Sequence, residues 1–155
     1  MQEASPLSQV AEFHRTFKHP ILETPAIPSK SRCDLRVSLL AEEVKELQQA
    51  INDQNIVEIA DALCDIQYVL AGAILEFGLG EKFKALFDEV HRSNMSKACE
   101  TLEEAHKTIE HYRTSENCES YLQEEDSKFL VFRSVDNKTL KSINYSPANL
   151  KGLLL

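Results

Sequence analysis

Glycine is scarce in this 155-residue chain, which has only four. Neither GxxxxGK(S/T) nor GxGxxG occurs, which excludes the common glycine-rich phosphate loops. Any phosphate contact must then come from side chains and a metal ion. The four cysteines, Cys33, Cys64, Cys99 and Cys118, are scattered without a CxxC pair. That argues against a zinc site and against a disulfide scaffold, and free thiols in a reducing compartment are expected. Positive charge is in deficit: 17 Lys and Arg against 25 Asp and Glu leave a formal net charge of −8. The clustered cations that a nucleic-acid polymer requires are therefore missing. No charge-free apolar run reaches the length of a membrane span. The N-terminal MQEASPLSQV has no basic stretch followed by an apolar one, so no signal peptide is expected. Together these absences predict a cytoplasmic protein that engages neither a nucleic-acid polymer nor a membrane. One gap is more pointed: Ile56 to Glu81 contains no Lys, Arg or His.

The chain does contain ample material for a core, with 43% hydrophobic residues. Its length suits a single domain over 1–155. Ser5 followed by Pro6 reads as a helix start, a cap and then a first-turn proline. Leu7, Val10, Ala11, Phe13, His14 and Phe17 follow at helical spacing, and the helix should end near Lys18. Residues 19–29 hold Pro20, Pro25 and Pro28 and read as an extended loop. A second helix is expected from about Ser31 to Asp53. NDQN is a turn, and a third helix runs from Ile56 to Phe77, stopping at Gly78 or Gly80. A fourth covers Glu81 to about Arg92 and is interrupted by the polar SNMSK. Thr101 with Glu104 forms a capping box for a fifth helix ending near Arg113. Cys118–Gln123, Phe129–Ser134 and Thr139–Ile143 then alternate with EEDS and DNK turns, predicting a three-stranded antiparallel meander. SPANL should begin a last helical turn, and the apolar end Leu153–Leu155 suggests docking on a partner subunit. The fold class is thus mainly α, a bundle of about four core helices with a small C-terminal β meander. Within the one domain, 5–115 is the helical core, 116–145 the β appendage and 146–155 the tail.

Residues 39–77 carry the chemistry. Glu42, Glu43 and Glu46 sit among Leu39, Leu40, Val44 and Leu47. Glu58, Asp61 and Asp65 are spaced i, i+3, i+7, one stripe on a helix at about 100° per residue. That helix is apolar nearly all round, which marks a buried element. Buried carboxylates cost several kcal/mol each unless something neutralises them. With no basic side chain nearby in sequence, a metal ion is the simplest neutraliser. An antiparallel pairing of helices two and three would bring ExxE and ExxD together. Such an all-oxygen set suits Mg²⁺, with Mn²⁺ as substitute, rather than zinc or iron. A Mg²⁺ held by several carboxylates keeps sites for water and phosphate oxygens, so a phosphate anhydride or ester is the expected substrate. An acidic helix face that is merely solvated is the competing reading. His14, Phe17 and His19 could line a base pocket, although Phe17 reads first as a core residue. Arg36 precedes Glu43 by two turns and is placed near the site.

The EExxE run at Glu42–Glu46 followed by ExxD at Glu58–Asp61 resembles the all-α nucleotide pyrophosphohydrolases. These include MazG, phosphoribosyl-ATP pyrophosphohydrolase and the dimeric dUTPases. FDEVHRSNMSK resembles the Asn-x-x-Lys motif of the MazG-like members, and VAEFHRTFKHP with its proline-rich loop is similar to their first helix. The likeness spans about residues 5–97 and the LKSINYSPANL tail. It implies hydrolysis of a nucleoside triphosphate to monophosphate and pyrophosphate. It also implies that Glu43, Glu46, Glu58 and Asp61 hold Mg²⁺, that Glu42 is the base acting on water, and that Asn94 and Lys97 contact the nucleotide. Asp65, Arg36, His14 and Phe17 are further candidates, Asp65 lying one turn past the family's ExxD. A homodimer or homotetramer is expected, since helices two and three are apolar on more than one face. Two rival readings stand beside this one. The same fold could act on phosphoribosyl-ATP, or the acids could be the partner-binding face of a non-catalytic helical module.

Overall fold

A computed structural model describes residues 4–154. Met1–Glu3 and Leu155 lie outside the described residues, and with them the first residues of the MQEASPLSQV stretch and the last leucine of the apolar end. The elements are α1 (Pro6–Phe17), α2 (Lys30–Asn52), α3 (Ile56–Glu76), α4 (Phe83–Met95), α5 (Leu102–Glu116), β1 (Ser120–Glu125), β2 (Lys128–Arg133) and α6 (Lys151–Leu154). A short 3-10 turn, Gly80–Lys82, precedes α4. The mainly-α class with a small C-terminal antiparallel sheet is as the sequence implied. The chain groups into two compact units, Met1–Phe83 and Lys84–Leu155. That division falls inside the 5–115 stretch read from sequence as one helical core.

In the first unit each helix starts and stops for a local reason. Pro6 opens α1 with its preset φ, although the Ser5 side chain makes no cap bond. Lys18 closes α1 in the left-handed region at φ 61°. The Asn55 side chain caps α3, accepting from the amides of Val57 at 3.1 Å and Glu58 at 3.4 Å. At the other end, Leu79 N donates to Ile74 O and Gly78 N to Leu75 O, a Schellman closure. Gly78 has φ +67°, and a Cβ there would stand 1.9 Å from the Thr24 carbonyl oxygen. The proline-rich loop lies along this end of α3, with Leu22 N donating to Leu75 O and Ala26 N to Phe77 O. Val10 and Ala11 of α1 pack on Ala71 and Leu75 of α3 to form the core, with Leu7 and Ile21 against it.

In the second unit α4 runs through to Met95, so the polar SNMSK does not interrupt it where expected. Ser93 is buried on its inner side, with its hydroxyl 2.9 Å from the Tyr145 hydroxyl. Thr101 Oγ1 accepts from Glu104 N at 3.1 Å, as a capping box requires. The reciprocal bond goes to Glu100 N, one residue earlier than the motif's usual donor. Asp126 and Ser127, both at positive φ (46° and 61°), form a two-residue turn between β1 and β2. The expected third strand is reduced to one bridge, Phe132 to Thr139. Leu140 N still donates to Val131 O, but Ser142 N turns away to Lys97 O and the Ser142 hydroxyl donates to the buried Glu104. The final helix starts at Lys151 rather than within SPANL, with Gly152 N donating to Asn149 Oδ1. Cys99, Ala105, Val131 and Leu140 make this unit's core.

Candidate active site

Three residues join α2 to α3, so the two helices pack as an antiparallel hairpin. Each step back along α3 therefore faces a step forward along α2. Glu43 is half-buried in the seam, and its Oε2 is cut off from solvent with no hydrogen-bond donor. Burial raises the Glu43 pKa above the carboxylate norm, and the charges of Asp65, Glu46, Glu42 and Asp61, in that order, raise it further. The two helices thus bring Glu42, Glu43, Glu46, Asp61 and Asp65 into one electrostatic neighbourhood. Asp65, a secondary candidate by sequence, acts on Glu43 more strongly than Asp61 does. Glu58 is not among the charges Glu43 senses; it stands exposed in the first turn of α3.

The seam is wetter than expected. Glu42, Glu46, Glu58, Asp61 and Asp65 are all exposed in the single chain. The reason is that α3 is not covered all round: Val57 is 70% exposed and Leu63 51%. Among the described residues, no three His, Cys, Asp or Glu side chains stand in metal-holding geometry. Like charges held on separate turns keep apart. The donor set nonetheless fits a hard divalent cation, because it is all oxygen and its innermost member has an oxygen that nothing satisfies.

One turn along the seam the character changes. Leu39 and Val69, four residues from Glu43 and Asp65, line a cavity of about 200 Å³. Phe13, His19 and Tyr68 supply its aromatic wall. Phe13 lies nearly parallel to His19, at 5.7 Å and 13°, and edge-on to Tyr68 at 5.7 Å. Phe17 is not a core residue; it is 61% exposed and touches Phe13 with ring centroids 4.5 Å apart. A larger open groove of about 910 Å³, lined by Leu7, Arg15, Leu22 and Glu81 among others, contains none of the acids of the α2–α3 seam.

The floor of the small cavity is a charged network that sequence reasoning missed. Glu76, buried at the end of α3, accepts from Arg32 and Arg36 of α2. Burial alone would raise the Glu76 pKa, but the bonds from Arg32 and then Arg36 outweigh it and hold the carboxyl below its usual range. Arg36 is therefore tied down inside the fold; its Nη2 also lies 3.3 Å from His14 Nε2. His14 Nδ1 lies 2.9 Å from the Pro20 carbonyl, so Nδ1 carries the proton and Nε2 accepts from Arg36. Burial lowers the His14 pKa, the Pro20 bond partly opposes this, and the Arg36 charge lowers it again. Gly72 makes the room, since a Cβ there would stand 2.7 Å from Arg36 Nη1 and 3.1 Å from His14 Nε2. The signal was present in sequence as Arg32 and Arg36 one turn apart on α2, and Gly72 and Glu76 one turn apart on α3.

Asn94 and Lys97 belong to the second unit. Lys97 Nζ donates to Asn94 Oδ1 at 2.8 Å, so the two ends of the Asn-x-x-Lys motif are joined.

Residues 10–94, just over half of the chain, match the family model described as phosphoribosyl-ATP pyrophosphohydrolase. An uncharacterized protein of Acanthamoeba polyphaga mimivirus is 25% identical, the match covering 99% of this chain and 97% of that protein.

Proposed function

The chain belongs to the phosphoribosyl-ATP pyrophosphohydrolase family, within the all-α nucleoside triphosphate pyrophosphohydrolases, and on that premise we propose a Mg²⁺-dependent enzyme that cleaves nucleoside triphosphates to monophosphate and pyrophosphate. An activity of the nucleotide pyrophosphohydrolase type follows from the family. The carrying observation for the finer reading is the unsatisfied Glu43 oxygen, flanked by acids from both helices and one turn from an aromatic cavity. Glu43, Glu46 and Asp61 would hold the ion, with Glu58 from the first turn of α3 and Asp65 beside them. Bound there, Mg²⁺ would supply positive charge to the phosphate oxygens. Glu42, exposed on the same helix, takes the proton of the attacking water. The α-phosphorus to bridging-oxygen bond breaks and pyrophosphate leaves. By the family resemblance, Asn94 and Lys97 would contact the nucleotide, Lys97 on phosphate. The base stacks in the cavity of Phe13, His19 and Tyr68, while Arg36 and His14 stay beneath it as supports.

We further place the enzyme in the cytoplasm as a homodimer or homotetramer that removes unwanted nucleotides. Val37, Val44 and Ile51, seven residues apart on α2, are exposed, as are Val57 and Leu63 on α3. A second copy would cover such a stripe. The test is a panel of standard and modified nucleoside triphosphates, with phosphoribosyl-ATP included, in Mg²⁺ or Mn²⁺. Pyrophosphate should be released from at least one triphosphate, and Glu46→Ala should abolish the release. Orthophosphate as the sole product, or full activity in Glu46→Ala, would remove the assignment. Cleavage of phosphoribosyl-ATP alone would move the substrate to that compound.

A further inference from the structure

Contacts between α2 and α3 fix the register of the hairpin. Arg32 bonds Glu76, Arg36 leaves no room for a Cβ on Gly72, and Asp65 is the strongest of the charges acting on Glu43. Each step forward on α2 is thus matched by an equal step back on α3. Within that register Tyr68 stands level with Leu39 and Leu40, and Leu39, Tyr68 and Val69 do line one cavity. On α3 itself Asp61, Asp65 and Tyr68 are spaced i, i+4, i+7, so the tyrosine continues the acidic stripe. It follows Asp65 by about 4.5 Å along the helix axis. Its ring meets Phe13 edge-on at 5.7 Å. Tyr68 therefore stands where the acids give way to the aromatic wall. Of the other polar side chains lining the cavity, Arg32, Arg36 and His14 are bonded into the Glu76 network, and His19 lies past the end of α1, stacked on Phe13. Among the described residues the Tyr68 hydroxyl has no hydrogen-bond partner, and the side chain is 40% exposed. A phenol both donates and accepts. A nucleotide with its phosphates at the acids and its base in the cavity must lay its pentose between them.

We propose that Tyr68 reads the sugar: its hydroxyl bonds a hydroxyl of the pentose, at the joint between the acids and the aromatic cavity. This rests on the pyrophosphohydrolase reading, which sets the phosphates at the acids and the base in the cavity. Tyr68→Phe removes the hydroxyl and keeps the ring on Phe13. One neutral hydrogen bond corresponds to about a three- to ten-fold change in binding. The ribo, 2′-deoxy and 3′-deoxy forms of the preferred nucleotide are compared in both proteins. In wild type, the form lacking the hydroxyl that Tyr68 reads should have a KM higher by about that factor. Tyr68→Phe should raise KM by the same factor for the forms that carry this hydroxyl and leave the form without it unchanged. kcat should change less, and the melting temperature should match wild type, since the hydroxyl holds nothing in the fold. The 2′ and 3′ arms identify which hydroxyl is read. Wild-type KM values in Tyr68→Phe, or one equal loss on all three forms, would overturn the proposal and leave the enzyme assignment standing. If the wild-type protein cleaves no nucleotide, the enzyme assignment fails, and calorimetric titration with the three corresponding nucleoside monophosphates still decides. Weaker binding in Tyr68→Phe confined to forms with that hydroxyl supports the tyrosine's role; equal affinities, or no binding in either protein, overturn it.

Discussion

Glu43 sets a carboxyl oxygen where the fold supplies it no hydrogen-bond donor. Its folded pKa is raised by burial and then by four neighbouring acids. The folded chain therefore holds that proton more tightly than the unfolded chain, and stability is lost as pH rises from 4.5 through the folded value. Glu43→Gln should then be more stable than wild type by about 1 kcal/mol at pH 7 without metal, and catalytically dead. Thermal melts check this, and Mg²⁺ should raise the wild-type melting temperature more than the variant's. The Glu76 network behaves in the opposite sense. Glu76→Gln strands the buried Arg36 and the half-buried Arg32 guanidinium groups and should cost about 3–5 kcal/mol by urea unfolding. His14, whose folded pKa is lowered, adds an acid-sensitive contribution: below 6.5 the unfolded chain takes up the proton first, so stability falls as pH drops through the folded value. Glu76, with its own lowered pKa, adds a further loss only below 4.5. Replacing His14 with Gln should flatten the first fall and leave the second, as urea midpoints from pH 7 down to about pH 3 would show.

At the scale of elements, the helices were legible because their ends are written in the local chain. Pro6 acts through its preset φ, and Asn55, Gly78 and Thr101 through bonds to neighbours a few residues away, and apolar spacing does the rest. Gly78→Ala should lower stability by roughly 2 kcal/mol or more, since it adds left-handed strain and drives a methyl into the Thr24 carbonyl; a denaturant midpoint measures it. What escaped the sequence was set by distant partners. The third strand failed because Ser142 finds Lys97 and Glu104 instead of continuing along β2. The acid cluster was visible as a pattern, and the turn between α2 and α3 made its convergence deducible. Which acid lies deepest was not, because Glu43 differs from Glu42 only by a rotation about the helix axis. The Glu76 pairing spans forty-four residues to Arg32, beyond any local pattern.

For the whole molecule, the all-round apolar pattern of α3 suggested burial, yet the single chain leaves much of that helix open. On our reading the missing cover is a second copy. Leu63→Glu or Val44→Glu should therefore convert the assembled species to monomer in sedimentation velocity, whereas a wild-type protein that is monomeric at tens of micromolar would refute the assembly. The meeting of Lys97 and Ser142 has a separate bearing on how such a chain could diversify. The excursion from 98 to 141 leaves and re-enters at touching points, just past the family match ending at 94, and carries a miniature interior of Cys99, Ala105, Val131 and Leu140. A cassette with adjoining ends can be exchanged, trimmed or lost at small topological cost, so lineages sharing the α2–α3 hairpin are free to wear different ornaments at this one junction.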